Sequence, residues 1–172
     1  MKSVVDASAR ASPAAPLVTT ARSPGAGIRS DRAFLALVES FRRHDGLVGG
    51  DAIAERLCRQ GSGDLSALAR RIVAREVICF EWRGEQWLPL IQFDLADMSL
   101  RPALAQAATE LAAVFDGWAL CRWLVSANSA LGHRTPLDML DADAAAVLRA
   151  ARIERFVIRG RSPRAPRIAF ES

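Results

Sequence analysis

The chain has 172 residues, a net charge of +4 and an apolar share ordinary for a soluble protein, so it holds one medium domain or two small ones with length enough to bury a core. No apolar run approaches the roughly 18 residues of a membrane-spanning helix, and the start lacks the unbroken apolar core of a secretory signal, which together predict a cytoplasmic protein without membrane contact. Three cysteines, Cys58, Cys79 and Cys121, stand far apart with no C-x-x-C and no histidine close by in sequence; this disfavours zinc and disulfide frameworks and reads as three small buried apolar side chains.

The charge points to nucleic acid only until it is divided. Residues 1–30 carry Lys2, Arg10, Arg22 and Arg29 against Asp6, and residues 154–172 carry five arginines against Glu154 and Glu171. Each end therefore has a balance of +3, leaving −2 for the middle. Whole-chain basicity is weak evidence that the folded body binds DNA.

Residues 1–30 are rich in Ala, Ser, Pro and Arg, with Pro13, Pro16 and Pro24 interrupting any helix, and read as a disordered tail. The acid-poor composition also suits an organelle transit peptide, against which the prolines argue. From Asp31 the register changes. Phe34, Leu37, Val38 and Phe41 follow helical spacing, with Ser30 or Asp31 as cap and a stop at His44, Asp45 and Gly46. His44 reads as a solvated loop residue. Gly49, Gly50 and Asp51 open a second helix with Ile53, Ala54, Leu57 and Cys58 inward. Gly61, Ser62 and Gly63 break it, and Asp64 caps a third helix with Leu65, Leu68, Ala69 and Ile72 inward.

Three short helices joined by glycine turns suit a helix-turn-helix. On the third, Ser66 and Arg70 stand one turn apart, as do Arg71 and Arg75, away from the apolar stripe, where they can contact phosphate or guanine; the alternative is a solvated helix face. A β-hairpin follows. Its arms are residues 77–82 and 87–93, joined through Arg83, Gly84, Glu85 and Gln86, with Ile78, Phe80 and Trp82 on one face and Trp87, Ile91 and Phe93 alternating across it. Pro89 requires an edge or a bulge. Three helices and a hairpin are the winged-helix order, which sets Arg83 at the wing tip near a phosphate backbone or else makes a scaffold that pairs subunits. Trp82 and Trp87 fit hairpin packing better than base stacking.

After a short linker over residues 95–100, Pro102 begins a long helix with Leu104, Ala108, Leu111 and Phe115 in phase, which Asp116 and Gly117 bend or divide before Trp118. Leu120, Trp123 and Leu124 share a helix face. Asn128 and Gly132 suit turn backbone, and Thr135 caps a new helix with Pro136 at its first position and Asp138 three residues on. The result is a sharp corner between two helices. Asp141 or Asp143 caps a last helix containing Val147, Leu148, Ala151 and Ile153.

The order Trp123, Leu124, Asn128, Leu131, Gly132, Arg134, Pro136, Leu137 and Leu140 resembles the toxin-binding domain of the Xre/MbcA/ParS-like bacterial antitoxins. The likeness covers residues 47 to 155 and is densest after Trp87; the stretch ending in Gln92, Phe93 and Asp94 is similar to the connection in MbcA-like members. Such domains commonly finish soon after the last helix, whereas this chain continues into a basic extension over residues 156–172, read as a disordered tail or as a short strand and an arm. The resemblance implies an antitoxin of a type II toxin-antitoxin system. Its implied partner is an NAD-consuming RES-domain toxin, neutralised by covering its active site, and the resemblance extends to repression of its own operon.

The expected fold is mainly α. A helix-turn-helix-like unit with a β-hairpin wing occupies residues 31–94, and a helical toxin-binding bundle residues 95–155. Within the bundle Asn128, Leu131, Gly132 and Arg134 are expected to meet the toxin, with Trp118, Trp123, Thr135, Pro136, Leu137 and Leu140 holding the corner. Ser66, Arg70, Arg71, Arg75 and Arg83 are the candidates for operator DNA, and a homodimer is the expected assembly. No nucleophile and base pair, Walker loop, dinucleotide fingerprint or H-E-x-x-H occurs, so neither catalysis, a cofactor nor a metal is expected. His133 reads as a hydrogen-bonding loop residue, and Asp138, Asp141 and Asp143 as helix-start acids. The alternative is a DNA-binding transcriptional regulator whose C-terminal domain dimerises or senses a ligand.

Overall fold

The computed structural model describes residues 29–59 and 65–161. The expected N-terminal tail up to residue 28, the Gly61 to Gly63 break, the Asp64 cap and residues 162–172 lie outside the described residues. Among those described, the elements run α1 (Asp31–Phe41), β1 (Leu47–Gly49), α2 (Gly50–Arg59), α3 (Leu65–Val73), β2 (Phe80–Trp82), β3 (Glu85–Pro89), α4 (Pro102–Leu111), α5 (Gly117–Val125), α6 (Pro136–Met139) and α7 (Ala144–Arg161). Single 3₁₀ turns follow β3 at Leu90–Gln92 and α5 at Ser129–Leu131. The fold is mainly α, with one small antiparallel sheet.

The sheet has the order β1-β3-β2, so the expected hairpin gains a third strand between α1 and α2. Leu47 stands opposite Pro89 and Gly49 opposite Trp87, while Phe80 faces Trp87 and Trp82 faces Glu85 across the hairpin. The hairpin arms are shorter than the sequence suggests. The turn is the two residues Arg83 and Gly84, with φ of 54° and 81°, the doubly left-handed backbone that matches strand twist. Pro89 sits on the central strand rather than an edge. It can do so because it is the last residue of β3, and the next backbone donor, Leu90 N, reaches Gly46 O at 3.0 Å.

The sheet divides two apolar clusters. On one side Ile53 and Leu57 of α2 meet Val77, Leu88, Leu90, Phe93 and Met98, with Leu68 and Ile72 of α3 packed against them. Ala69 and Cys58 are exposed instead of facing inward, and Cys79 is only half-buried, so Cys121 alone of the three cysteines is a buried core side chain. On the other side Leu37 and Phe41 of α1 join Ile78, Phe80 and Ile91 to the interior of α4, α5, α6 and α7. The main core thus draws on residues from both sides of Asp94. Phe34 stacks on Trp82 at 5.1 Å and meets Trp87 edge-on at 5.1 Å, which accounts for these tryptophans as packing rather than a platform for bases.

Gln92 fastens the hairpin to the segment before it. Its side chain is 1 % exposed; Oε1 accepts from Ile78 N at 2.7 Å, and Nε2 donates to Ile78 O at 2.9 Å and Pro89 O at 3.0 Å. The amide reproduces the donor and acceptor of a strand partner, so the backbone of Ile78 is paired without a ladder residue beside it. The expected linker at 95–100 is a closed turn. Asp94 N donates to Ser99 O, Met98 N to Asp94 O and Arg101 N to Gln92 O, and Met98 is buried.

The long helix expected from Pro102 is divided at Asp116, which caps α5. In the C-terminal part α4 lies on α7 through Leu104, Ala107, Ala108 and Leu111 against Val147, Ala150 and Ala151. The small alanines permit close approach. Glu110 adds a polar clasp, accepting from Arg152 Nε at 2.9 Å and pairing with Arg155. The hydrogen bond from Arg152, with the charges of both arginines, holds its carboxyl below the usual carboxylate range. Asp143, not Asp141, caps α7, accepting from Ala146 N at 2.8 Å. Asp141 instead pairs with Arg101 at the start of α4. The helix continues through Arg161, so residues 156–161 of the expected extension are its last turns.

Candidate functional site

The corner is built from both ends. At its entry Asp116 accepts from Ala119 N at 2.8 Å through Oδ1 and from Arg29 Nη2 at 2.7 Å through Oδ2. The Arg29 guanidinium lies 5.7 Å from the ring centre of Trp118, a cation over an aromatic face. Trp118 is buried, meeting Phe80 edge-on at 5.2 Å and stacking on Trp82 at 5.7 Å. Gly117 is where α5 touches the winged unit, since a Cβ there would stand 1.7 Å from Cys79 O.

At its exit the corner is a backbone ring. Asn128 N donates to Arg134 O at 3.0 Å, while Asn128 O accepts from Leu131 N at 3.0 Å and His133 N at 2.9 Å. The Asn128 side chain also accepts from Ala130 N at 2.9 Å, capping the 3₁₀ turn. Gly132 and His133 both take left-handed backbone, with φ of 63° and 64°, which Gly adopts freely and His less so. Thr135 then caps α6, accepting from Asp138 N at 3.1 Å and donating to Asp138 Oδ2 at 2.6 Å, with Pro136 at the first helical position. His44 is half-buried and sits 3.4 Å from Asp138 Oδ1, so it tethers the end of α1 to the corner instead of standing in solvent.

The ring decides which expected toxin-facing side chains are available. Gly132 and Arg134 are exposed and Asn128 is partly so, whereas Leu131 is only 5 % exposed and belongs to the main core. Its place is with Trp118, Trp123, Pro136, Leu137 and Leu140, because the 3₁₀ turn rotates it inward against α7. The Arg134 guanidinium has no hydrogen-bond or ion-pair partner among the described residues. Beside the corner, a groove of about 430 Å³ runs between α5 and α7, lined by Phe115, Arg122, Trp123, Asn128, Ser129 and Glu154. The sequence carries no local sign of it, since the walls are more than 20 residues apart.

The expected DNA-binding residues separate into two groups. Ser66, Arg70 and Arg71 are exposed on α3. Arg75 instead donates to Ala112 O at 2.7 Å, joining the end of α3 to the C-terminus of α4. Arg83 at the wing tip is held by Asp31 of α1. Neither was recognisable as a tether, because both partners lie more than 35 residues away.

No group of three or more His, Cys, Asp or Glu side chains arranged to hold a metal occurs among the described residues. Burial pushes the Cys121 thiol well above its ordinary value and raises Cys79 also, which keeps both protonated and poor nucleophiles. No helix is long and apolar enough to cross a membrane among the described residues. What this surface offers among the described residues is shape, the exposed cations Arg122 and Arg134 and an apolar underside, features that suit contact with another protein.

No curated protein and no solved structure matches the chain. Residues 110–159, from the end of α4 through the corner into the last turns of α7, match the family model of the antitoxin Xre/MbcA/ParS C-terminal toxin-binding domain.

Proposed function

We propose that this protein is the antitoxin of a type II toxin-antitoxin system, and that residues 95–155 neutralise an NAD-consuming RES-domain toxin by covering the approach to its active site. The observation that carries the reading is the coincidence of the matched segment with the ring-closed corner at Asn128 to Arg134. The matched family binds and does not catalyse. A preformed surface with few anchors is what a high-affinity inhibitor requires, since little ordering remains to be done on binding. Its occupant takes hold of Arg134, Asn128 and the Gly132 backbone, while Leu131 and the tryptophans support them from beneath.

Arg134→Glu is the test. The side chain is exposed and unpartnered among the described residues, so the change is expected to leave folding intact while it reverses the charge offered to the toxin. The expected outcome is toxin affinity lower by about 10- to 100-fold with an unchanged melting temperature. Wild-type affinity, or loss of the folded state, removes Arg134 from the interface.

A second activity has its own support. The order α1-β1-α2-α3-β2-β3 with the sheet β1-β3-β2 is a winged helix-turn-helix arrangement, and Ser66, Arg70 and Arg71 lie on the exposed side of α3. We infer that residues 31–94 bind the operator of the same operon through α3, with two copies in a homodimer presenting two such helices. Arg71→Ala is expected to weaken binding to an operator duplex and to lower the salt slope by about one unit. An unchanged slope assigns Arg71 to the solvated surface and leaves the winged unit a scaffold.

A further inference from the structure

The described residues leave the groove between α5 and α7 incomplete. Phe115, Trp118 and Trp123 give it an aromatic lining, and Glu154 of α7 is the one carboxylate in it. Trp123 is 7 % exposed, and its indole N–H is buried with no acceptor among the described residues. Since the rest of Trp123 packs in the main core, the groove is the side from which an acceptor can come. Glu154 is half-buried and has no ion-pair partner among the described residues; Arg122, exposed on the same rim, makes none with it. An occupant that suits this groove brings apolar side chains for the rings, a cation for Glu154 and carbonyl oxygens for the indole.

The chain supplies such a segment, and from the right place. Arg29, the first described residue, is fixed at the groove: it donates to Asp116 at 2.7 Å and lies 5.7 Å from the ring centre of Trp118, which lines it. The 28 residues before Arg29 therefore start from the groove wall. They include the apolar Leu17 and Val18 and, nearest Arg29, the cation Arg22, with no acid between Asp6 and Arg29. Arg22 is seven residues from Arg29, a reach of up to about 25 Å. The nine residues of α5 rise only about 13 Å, so this tether spans the groove with slack. The segment after α7 fits less well, because the helix runs on past Glu154 to Arg161 before that segment begins.

We propose that the groove is the docking site of this chain's own N-terminal arm: residues 17–28 lie in it, with Arg22 on Glu154, Leu17 and Val18 against the aromatic side chains and the arm backbone accepting from Trp123. Docked there, the arm covers the side of the corner at Asn128 and Ser129, which makes it an autoinhibitory strap that any partner of the corner must displace. The tether at Arg29 holds the arm at an effective concentration on the order of millimolar, so a few contacts keep it in place and a partner can still remove it. The docking belongs to the free protein and does not depend on which partner the corner binds.

The test uses the full chain alone. Native protein is treated with trypsin, and cleavage after Arg22 and after Arg10 is timed by mass spectrometry; a synthetic peptide of residues 1–28 gives the intrinsic ratio of the two sites. Cleavage follows the population of the undocked arm. Relative to Arg10, Arg22 is therefore expected to be cut about 10-fold or more slowly in the protein than in the peptide. Glu154→Gln and Leu17→Ser are each expected to abolish that difference, with the melting temperature unchanged. Leu17 lies outside the described elements, so Leu17→Ser decides the matter should Glu154→Gln lower stability. The peptide's ratio in the wild-type protein overturns the proposal, as does protection of Arg22 that both variants retain. Protection after Arg164 that Glu154→Gln releases in place of Arg22 gives the groove to the C-terminal segment, and protection that fades on dilution gives it to a second copy; either result also overturns the proposal.

Discussion

Gly117→Ala is expected to lower stability by about 3 kcal/mol or more, the upper range for forcing a group into a packed interior. A Cβ at this position would lie 1.7 Å from the carbonyl oxygen of Cys79 and 2.6 Å from its carbon. Both are backbone atoms, so no rotamer change relieves the contact; either α5 or the chain entering β2 must move. For a domain of this size the loss corresponds to a fall in melting temperature of about 10 °C. The displaced joint is the one where Asp116, Arg29 and Trp118 tie the corner to the hairpin, so antitoxin function is expected to fail with it. Gly160→Ala is the control, because nothing lies within 4 Å of a Cβ there and alanine favours the helix by about 0.5–1 kcal/mol. Thermal unfolding followed by circular dichroism checks both, and a Gly117→Ala protein melting with wild type contradicts the close approach of α5 to the strand.

Gln92→Leu has the second large effect, for a different reason. The volume is nearly kept, so no large cavity opens. What is lost is three hydrogen bonds, leaving Ile78 N, Ile78 O and Pro89 O without that partner inside the protein. A buried backbone group left unpaired costs about 1–3 kcal/mol, and local relaxation recovers some of it. The expected total is about 3 kcal/mol, read as a lower urea midpoint with an unchanged slope. Gln92→Glu is expected to be no better, since a carboxylate accepts from Ile78 N yet cannot donate to the two carbonyls. A loss under about 1 kcal/mol would mean that water or a shifted strand replaces the amide.

The parts of the fold that can be read from the sequence are those whose causes lie within one turn of chain. Ser30 and Asp116 cap their helices through donors three residues ahead, and Thr135 with Pro136 starts α6 in the same way. The apolar stripe of α1 likewise follows from local spacing. β1 was missed because three residues cannot display alternation, and its evidence lies in the pairing with β3 some 40 residues on. Arg75, Arg83 and Gln92 share that difficulty: each reads locally as a surface polar residue, and each is committed to a distant backbone or carboxylate partner.

Within the candidate site the pattern from Trp123 to Leu140 located the corner, but spacing alone does not say which of its side chains point out. Leu131 turns inward because the ring of Asn128 with His133 and Arg134 forces a 3₁₀ turn, and hydrophobicity then matches its burial. Ile153 shows the reverse. It is apolar as well, yet the phase set by Val147 and Ala151 carries it to the surface. Where chemical character and helical phase disagree, a partner surface is the natural place to look.

The central claim is most directly tested by co-expressing the full chain with the product of the adjacent gene, following growth and cellular NAD while the two proteins are purified together. Rescue of growth and NAD by wild type, a stable complex, and loss of both with Arg134→Glu are the predicted results. Growth arrest and NAD depletion that persist in the presence of folded wild-type protein, with no complex recovered, would contradict the account.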